Sequence, residues 1–194
     1  MKNQVLTLMD TVERLGNLLR AALRQAGATQ GLQPMHLQAL LYLNEANRYS
    51  NTPQALAEYL GLTKGTVSQS LLLLARRRLI ARHADEKDGR VVRLSLTDKG
   101  KEVLKELGYG NSWRDALQQA SPARLSSATK VLKEALASLQ AKGGQKTFGI
   151  CVTCRHNLHI GPRSYVCGLT KEKLSSREVS KICREHSPIE ENAV

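Results

Sequence analysis

Between Thr52 and Gly100 the hydrophobic period switches from helical to alternating, and that switch restricts the fold more than any other feature of the chain. PQALAEYL (53–60) and TVSQSLLLLARRRLI (66–80) carry Leu56, Leu60 and Val67 at helical spacing, with Leu62 between them, and these four are expected to form the shared core. Gly61 stands where the chain must turn and accepts positive φ. Ala57 is small enough to let a second helix approach. Thr52-Pro53 and Thr63 read as the starts of the two helices. Val91, Arg93 and Ser95 then alternate with Val92, Leu94 and Leu96, and Asp88-Gly89 is a turn signal, so 79–84 and 91–96 are predicted to pair as a hairpin. Two helices across a tight turn, followed by a hairpin, have the order of a helix–turn–helix with a wing. A packed helix pair of any kind also uses Ala and Gly in this way; the hairpin is what makes the pattern specific.

This arrangement selects residues. Lys64, Thr66, Ser68 and Gln69 fall on the exposed, N-terminal part of the second helix, and such side chains donate to phosphates or base edges in the major groove. Residues 76–93 hold seven basic side chains (Arg76, Arg77, Arg78, Arg82, Lys87, Arg90, Arg93) against three acidic ones, Asp85, Glu86 and Asp88. Solvation explains most charge runs, but this one sits on a hairpin tip that can reach an adjacent minor groove. The whole chain agrees: 29 Lys and Arg against 17 Asp and Glu leave a net charge of +12, which calls for a polyanionic partner. Candidate contacts to double-stranded DNA are therefore Lys64, Thr66, Ser68, Gln69, Arg76, Lys87, Arg90 and Arg93. No Gly-rich phosphate loop and no paired acidic motif supports an enzyme.

Two apolar stripes flank this core. One runs along 3–25, from Val5 to Leu23; GATQGLQP (27–34) breaks it, and a shorter helix follows at 35–46, ended by NRYSN. Helix resumes after Thr97 and is interrupted by GYGNS (108–112). The second stripe, Leu125 to Leu139, lies on 122–140 behind a Ser121 cap. The core cannot cover both stripes, so a homodimer is expected, with intrachain packing of the two helices as the alternative. The N-terminus lacks the apolar core of a signal peptide, and no run spans a bilayer, so the expected location is cytoplasmic and no membrane partner is expected.

LTKGTVSQSLLLLARRRLIARHADEKDGRVVRLSLTDKGKEVL resembles the winged-helix core of MarR-type transcriptional regulators, in which an Asp-x-Arg-Asp-x-Arg wing precedes a Leu-Thr-x-x-Gly segment. Here the wing reads Asp85-Glu86-Lys87-Asp88-Gly89-Arg90, and Leu96-Thr97-Asp98-Lys99-Gly100 follows. Lys87 departs from the pattern, keeping the charge and losing the bidentate geometry of arginine. The resemblance covers about residues 1–140. It implies that Arg90 meets the minor groove, that Asp88 orients wing arginines, and that the N- and C-terminal helices interlock in a two-fold dimer bound to an operator. It also leaves room for a small-molecule effector between the dimer and DNA-binding parts.

Every cysteine lies in the last segment, as Cys151-x2-Cys154-x12-Cys167-x15-Cys183. In a reducing compartment four clustered thiols argue for a metal rather than disulfides. Zinc sites usually pair two Cys-x2-Cys knuckles. The uneven spacing here, with a helix expected in KLSSREVSKIC, leans toward an iron–sulfur cluster, with zinc as the alternative and a thiol switch at CVTC as a third reading. His156, His159 and His186 are reserve ligands, the first two expected in a polar loop and His186 at the polar end of that helix. The expected architecture is mainly α with a small β-hairpin wing. Residues 1–140 form the winged-helix and dimerisation domain, with its core at 33–100. A linker (141–150) and a metal-binding tail (151–194) follow. The expected function is a sequence-specific transcriptional regulator modulated through the tail. The alternatives are an effector-sensing regulator with structural zinc and an architectural DNA-binding protein.

Overall fold

A computed structural model describes residues 2–108 and 111–189. The interruption expected at 108–112 and the tail expected to reach 194 thus lie partly outside the described residues. The first part is helical: α1 (Lys2–Gln30), α2 (Pro34–Glu45), α3 (Pro53–Leu60) and α4 (Lys64–Arg76) lead into β1 (Ile80–Ala84) and β2 (Val92–Leu96), followed by α5 (Asp98–Glu106), α6 (Asn111–Leu117) and α7 (Pro122–Lys142). Leu37 and Leu40 of α2, Leu56 of α3, Leu71 and Leu74 of α4 and Leu94 of β2 are fully buried together and form the centre of the winged helix. β1 and β2 pair antiparallel from Ile80↔Leu96 to Ala84↔Val92.

The local signals set the element starts. Thr52, Thr63 and Thr97 each accept the backbone N–H three residues on, at 3.1, 3.2 and 3.1 Å, and Ser121 does so at 3.4 Å. Gly61 closes α3 in the left-handed region, at φ 64°. Helix α1 departs from expectation, because it continues through Gly27 to Gln30. Gly27 is buried, and the carbonyl of Leu32 folds back against it so closely that a Cβ would stand 2.2 Å from that oxygen. Its glycine serves close packing, and the helix ends at Gly31, φ 58°. Helix α6 has no counterpart in the sequence reading.

The described residues from 149 on form a small, mostly β lobe: β3 (Gly149–Ile150), a 3₁₀ turn at Cys151–Thr153, β4 (Asn157–Gly161), β5 (Ser164–Cys167), β6 (Lys173–Leu174), α8 (Ser176–Val179) and β7 (Ile182–Cys183). β4, β5 and β6 make one antiparallel sheet, and β3 pairs with β7. The helix expected across KLSSREVSKIC is reduced to the four residues of α8. Lys173–Leu174 pair with β5 instead, and a Ser175–Glu178 capping box starts the helix late. The expected linker is also shorter than 141–150. α7 runs to Lys142, Phe148 packs edge-on against Tyr59 and Tyr42 of the winged helix, and Gly149–Ile150 already belong to the lobe.

Among the described residues none of α7 is buried, and Val5, Leu8, Met9 and Val12 of α1 are exposed. The α7 stripe and the first half of the α1 stripe are therefore uncovered within one chain, while Leu23 at the end of the α1 stripe is buried. No helix among the described residues is long and apolar enough to cross a membrane.

Candidate nucleic-acid interface and cysteine lobe

Helix α4 turns Val67, Leu71 and Leu74 into the core, so that Lys64, Thr66, Ser68 and Gln69 point outward, and Arg76 is exposed at its C-terminal end. The Thr66 hydroxyl lies 2.9 Å from that of Thr63, so it supports the cap as well as the exposed face. Arg77 is used differently: its guanidinium donates to the carbonyls of Gln30 and Gly31 at 2.9 and 3.0 Å and closes the end of α1.

The wing is braced by acids. Asp85 accepts the N–H groups of Lys87 and Asp88, each at 3.0 Å, and takes Arg93 Nε at 2.6 Å. These bonds, that from Arg93 foremost, hold the Asp85 carboxyl down at about 2. Asp88 takes Arg90 Nε at 3.1 Å, and the Arg90 side chain is otherwise 92% exposed at the wing tip. Arg93 does not share that exposure. It also donates to Arg48 O at 2.5 Å and Asn51 Oδ1 at 3.2 Å, which makes it an internal brace at the base of the wing rather than an outward contact. Lys87, on the tip, forms an ion pair with Glu172 of the lobe. Seven of the eight expected contact residues are therefore exposed, Lys87 and Arg90 while also ion-paired, and Arg93 is the one engaged internally.

The lobe gathers its four cysteines. Cys151, Cys154 and Cys183 are buried and Cys167 half-buried, all four with free thiols. They line one cavity of about 100 Å³ that Tyr49 and His156 also reach. The 3₁₀ turn brings Cys154 N to Cys151 O at 3.0 Å, and Cys167 accepts Lys171 N at 2.8 Å in the turn after β5. Two N–H groups point at sulfur: Asn157 Nδ2 at 3.5 Å from Cys151 Sγ and Ser187 N at 3.4 Å from Cys154 Sγ. Burial pushes the Cys151 thiol up to about 11, helped by its neighbour Cys183. It raises Cys183 too, against the opposing pull of the nearby Asn47 side-chain amide and the Glu185 backbone N–H. Among the described residues no group of three or more His, Cys, Asp or Glu stands already arranged around a metal position. His159 stacks on Tyr165 within the hairpin sheet. His186 lies outside any helix, contrary to expectation, and its ring meets the Thr153 hydroxyl at 2.9 Å.

The lobe folds back onto the winged helix, where the sequence reading placed only the polar end of a helix. Asn47 N donates to Ile182 O at 2.9 Å, and Arg184 N to Ser50 Oγ at 2.8 Å. Arg48 reaches Lys173 O at 2.7 Å and pairs with Glu178, and the Tyr49 hydroxyl donates to Glu172 at 2.7 Å. Arg184 grips Glu58 of α3 with Nε at 2.5 Å and Nη2 at 2.9 Å. These pairs join residues more than a hundred positions apart, so no local pattern could have revealed them. A second, larger cavity of about 530 Å³ lies between α1 and α6, walled by Leu15, Leu18, Leu19, Leu23, Trp113 and Leu117.

A family model described as MarR family matches residues 30–91. No curated protein matches the chain. Among solved structures, the transcriptional regulator PA3341 is 24% identical over 69% of this chain and 98% of its own, with a TM-score of 0.60. A MarR-family transcriptional regulator from Silicibacter pomeroyi is 23% identical over 66% and 87%, with a TM-score of 0.58. MepR of S. aureus, in a complex with DNA, is 22% identical over 67% and 94%, also at 0.58. At these identities the likeness is one of fold, and each leaves about a third of this chain unmatched.

Proposed function

From a winged helix of MarR type matched across residues 30–91, we propose that the protein is a homodimeric, sequence-specific DNA-binding regulator of transcription. The observation that carries this reading is the pairing of an exposed polar face on α4 with an arginine-bearing wing. Lys64, Ser68 and Gln69 stand on one, and Arg90 stands on the tip of the other. The first presents donors and acceptors to base edges, and the second presents charge to a narrow groove or the phosphate backbone. The same fold in MepR is found with DNA. The exposed stripes of α1 and α7 supply the surface for a two-fold dimer, which places two recognition helices on successive half-sites.

The four-cysteine lobe serves this regulator as a metal site, an iron–sulfur cluster or zinc, whose state modulates DNA binding. Support comes from four thiols around one cavity, with N–H groups aimed at two of the sulfurs. One further observation favours an additional input. The apolar cavity between α1 and α6 has the size and lining that bind a small hydrophobic effector.

Selection of preferred sequences from a random duplex pool, followed by affinity measurement at several salt concentrations, tests the regulator reading. A preferred site should be bound at least about 10³-fold more tightly than random DNA. Gln69→Ala should erode that ratio. Arg90→Ala should weaken binding to all sequences and flatten the salt dependence by roughly one unit of slope. Equal affinity for every sequence would make the protein an architectural DNA binder.

A further inference from the structure

We propose that residues 46–51 transmit the metal state of the lobe to the wing, with Asn47 as the positioning residue that donates its side-chain amide to Cys183 once the cysteines hold a thiophilic ion. This rests on the reading of the lobe as a metal site. Cys183 is gripped from both sides by this one loop. The residue before it accepts Asn47 N at 2.9 Å, and the residue after it donates to Ser50 Oγ at 2.8 Å. Between those two bonds lies Asn47, 2% exposed. Its Oδ1 is occupied by Tyr49 N at 3.1 Å and Ser50 Oγ at 2.8 Å. Its Nδ2 is buried and, among the described residues, completes no hydrogen bond of its own, although the amide stands close enough to Cys183 to favour its thiolate.

An orphaned buried donor is rare and signals an acceptor that matters to the site. The sulfur between the two anchored residues is that acceptor. Cys151 and Cys154 already have N–H groups at 3.5 and 3.4 Å, so Asn47 supplies the equivalent donor to a third sulfur. Donors aimed at sulfur favour the thiolate, the form that binds an ion, and outer-shell bonds of this kind orient ligands. Asn47 differs from the other donors in coming from the winged helix, not from the lobe.

The opposite side of the same loop holds the wing. Arg48 O and Asn51 Oδ1 accept the Arg93 guanidinium at 2.5 and 3.2 Å, and Asn51 O accepts Leu94 N at 2.8 Å. A second link runs from Tyr49, which lines the cysteine cavity, through Glu172 to Lys87 on the wing tip. The wing is thus tied at its base to the loop that grips Cys183, and at its tip, through Glu172, to Tyr49 of the cysteine cavity. When the ion leaves, Cys183 loses its fixed position, the loop loses its anchor, and both ties loosen. The loaded protein presents an ordered wing and binds DNA more tightly, by a factor in the range of about 5 to 150 that is usual for coupled sites.

The test uses the full chain, with cobalt(II) as the probe. Iron, sulfide and zinc contents of protein purified without oxygen first distinguish a cluster from a single zinc ion. The apo protein is then titrated with cobalt(II), read by the thiolate-to-cobalt absorption band. Asn47→Asp keeps an oxygen for Tyr49 N and Ser50 Oγ and replaces the free donor with an acceptor. It should weaken cobalt binding about 10- to 100-fold, with helical circular dichroism unchanged. Amide exchange at Arg93 and Leu94 should be slow in loaded wild type and faster in the apo protein and in Cys183→Ser. If Asn47→Asp binds cobalt like wild type, Asn47 is not the donor. If wing exchange ignores loading, the loop transmits nothing. No cobalt band in wild type would refute the metal reading and this inference with it. A protein that binds cobalt and shows the wing response, yet prefers no DNA sequence, would overturn the regulator reading alone.

Discussion

Arg184 anchors the lobe through its side chain, and removing it should loosen the docking of the lobe while leaving the winged helix folded. Its guanidinium meets Glu58 through two parallel bonds, Nε–Oε2 at 2.5 Å and Nη2–Oε1 at 2.9 Å. The two side chains are 22% and 30% exposed. A fully exposed pair contributes about 0.2–1 kcal/mol and a broken buried one costs about 3–5 kcal/mol. This bidentate, partly screened pair lies between them, near 2 kcal/mol on the scale of charge-assisted hydrogen bonds. Such a loss shifts the docking equilibrium by roughly 30-fold at about 1.4 kcal/mol per decade. The assay is amide exchange at Asn47, Arg184 and Cys151, whose N–H groups bond across the lobe or its contact with the core. In Arg184→Ala these amides should exchange about 30-fold faster, while Leu40 and Leu71 keep wild-type protection. The pair also sets a pH window. Its bonds to Arg184 hold the Glu58 carboxyl below the ordinary value of 4.5. A depressed carboxylate stabilises the folded state above its unfolded pKa and loses that contribution as pH falls through the folded one. Docking should therefore be at full strength at neutral pH and weaken below about 4.5, and Glu58→Gln should reduce that dependence, leaving the part that Glu178 contributes through Arg48. Unchanged exchange in Arg184→Ala, or loss of protection throughout the core, would refute the reasoning.

Leu132 and Leu136 are about half exposed on α7, and Leu132→Glu should split the dimer in sedimentation at micromolar concentration; a wild type that sediments as a folded monomer would show the stripes to be covered otherwise. The wing should resist acid, because Asp85 is held at about 2 by Arg93 and two backbone N–H groups. By the same sign rule its contribution is complete above the ordinary 3.8 and declines toward about 2, so β1–β2 amides should still be protected at pH near 4. Gly100→Ala should lower the thermal midpoint and cost about 1–3 kcal/mol, because a Cβ there meets Leu79 O at 2.1 Å. Gly65→Ala, with its nearest neighbour 3.9 Å away, should be neutral or mildly stabilising.

Much of the winged helix was legible from the chain alone, because its signals are local. Thr52, Thr63, Thr97 and Ser121 cap the helices they precede, Gly61 turns with positive φ, and the two-residue alternation of 91–96 marks the wing strand. Each depends on residues a few positions apart; of the expected shared core, Leu56 and Val67 are buried, whereas Leu60 is half-buried and Leu62 is exposed. The four cysteines, expected from their spacing to share a metal site, line one cavity.

Contacts that span the sequence are another matter. Gly27 reads as a helix breaker, yet it keeps α1 intact because the Leu32 carbonyl needs the space a side chain would fill. Arg93 reads as one more wing arginine until Asp85, Arg48 and Asn51 close around it. The segment before Cys183 reads as a helix, but β-pairing with distant strands leaves only Ser176–Val179 helical. Most telling is the loop at 46–51, which as sequence is only a polar end to a helix. Its value comes from lying between Cys183 on one side and Arg93 and Leu94 on the other. Propensity, capping and periodicity act within a turn or two of chain. Whether a charged or polar group faces solvent or a partner more than a hundred residues away is decided only when the lobe packs against the winged helix.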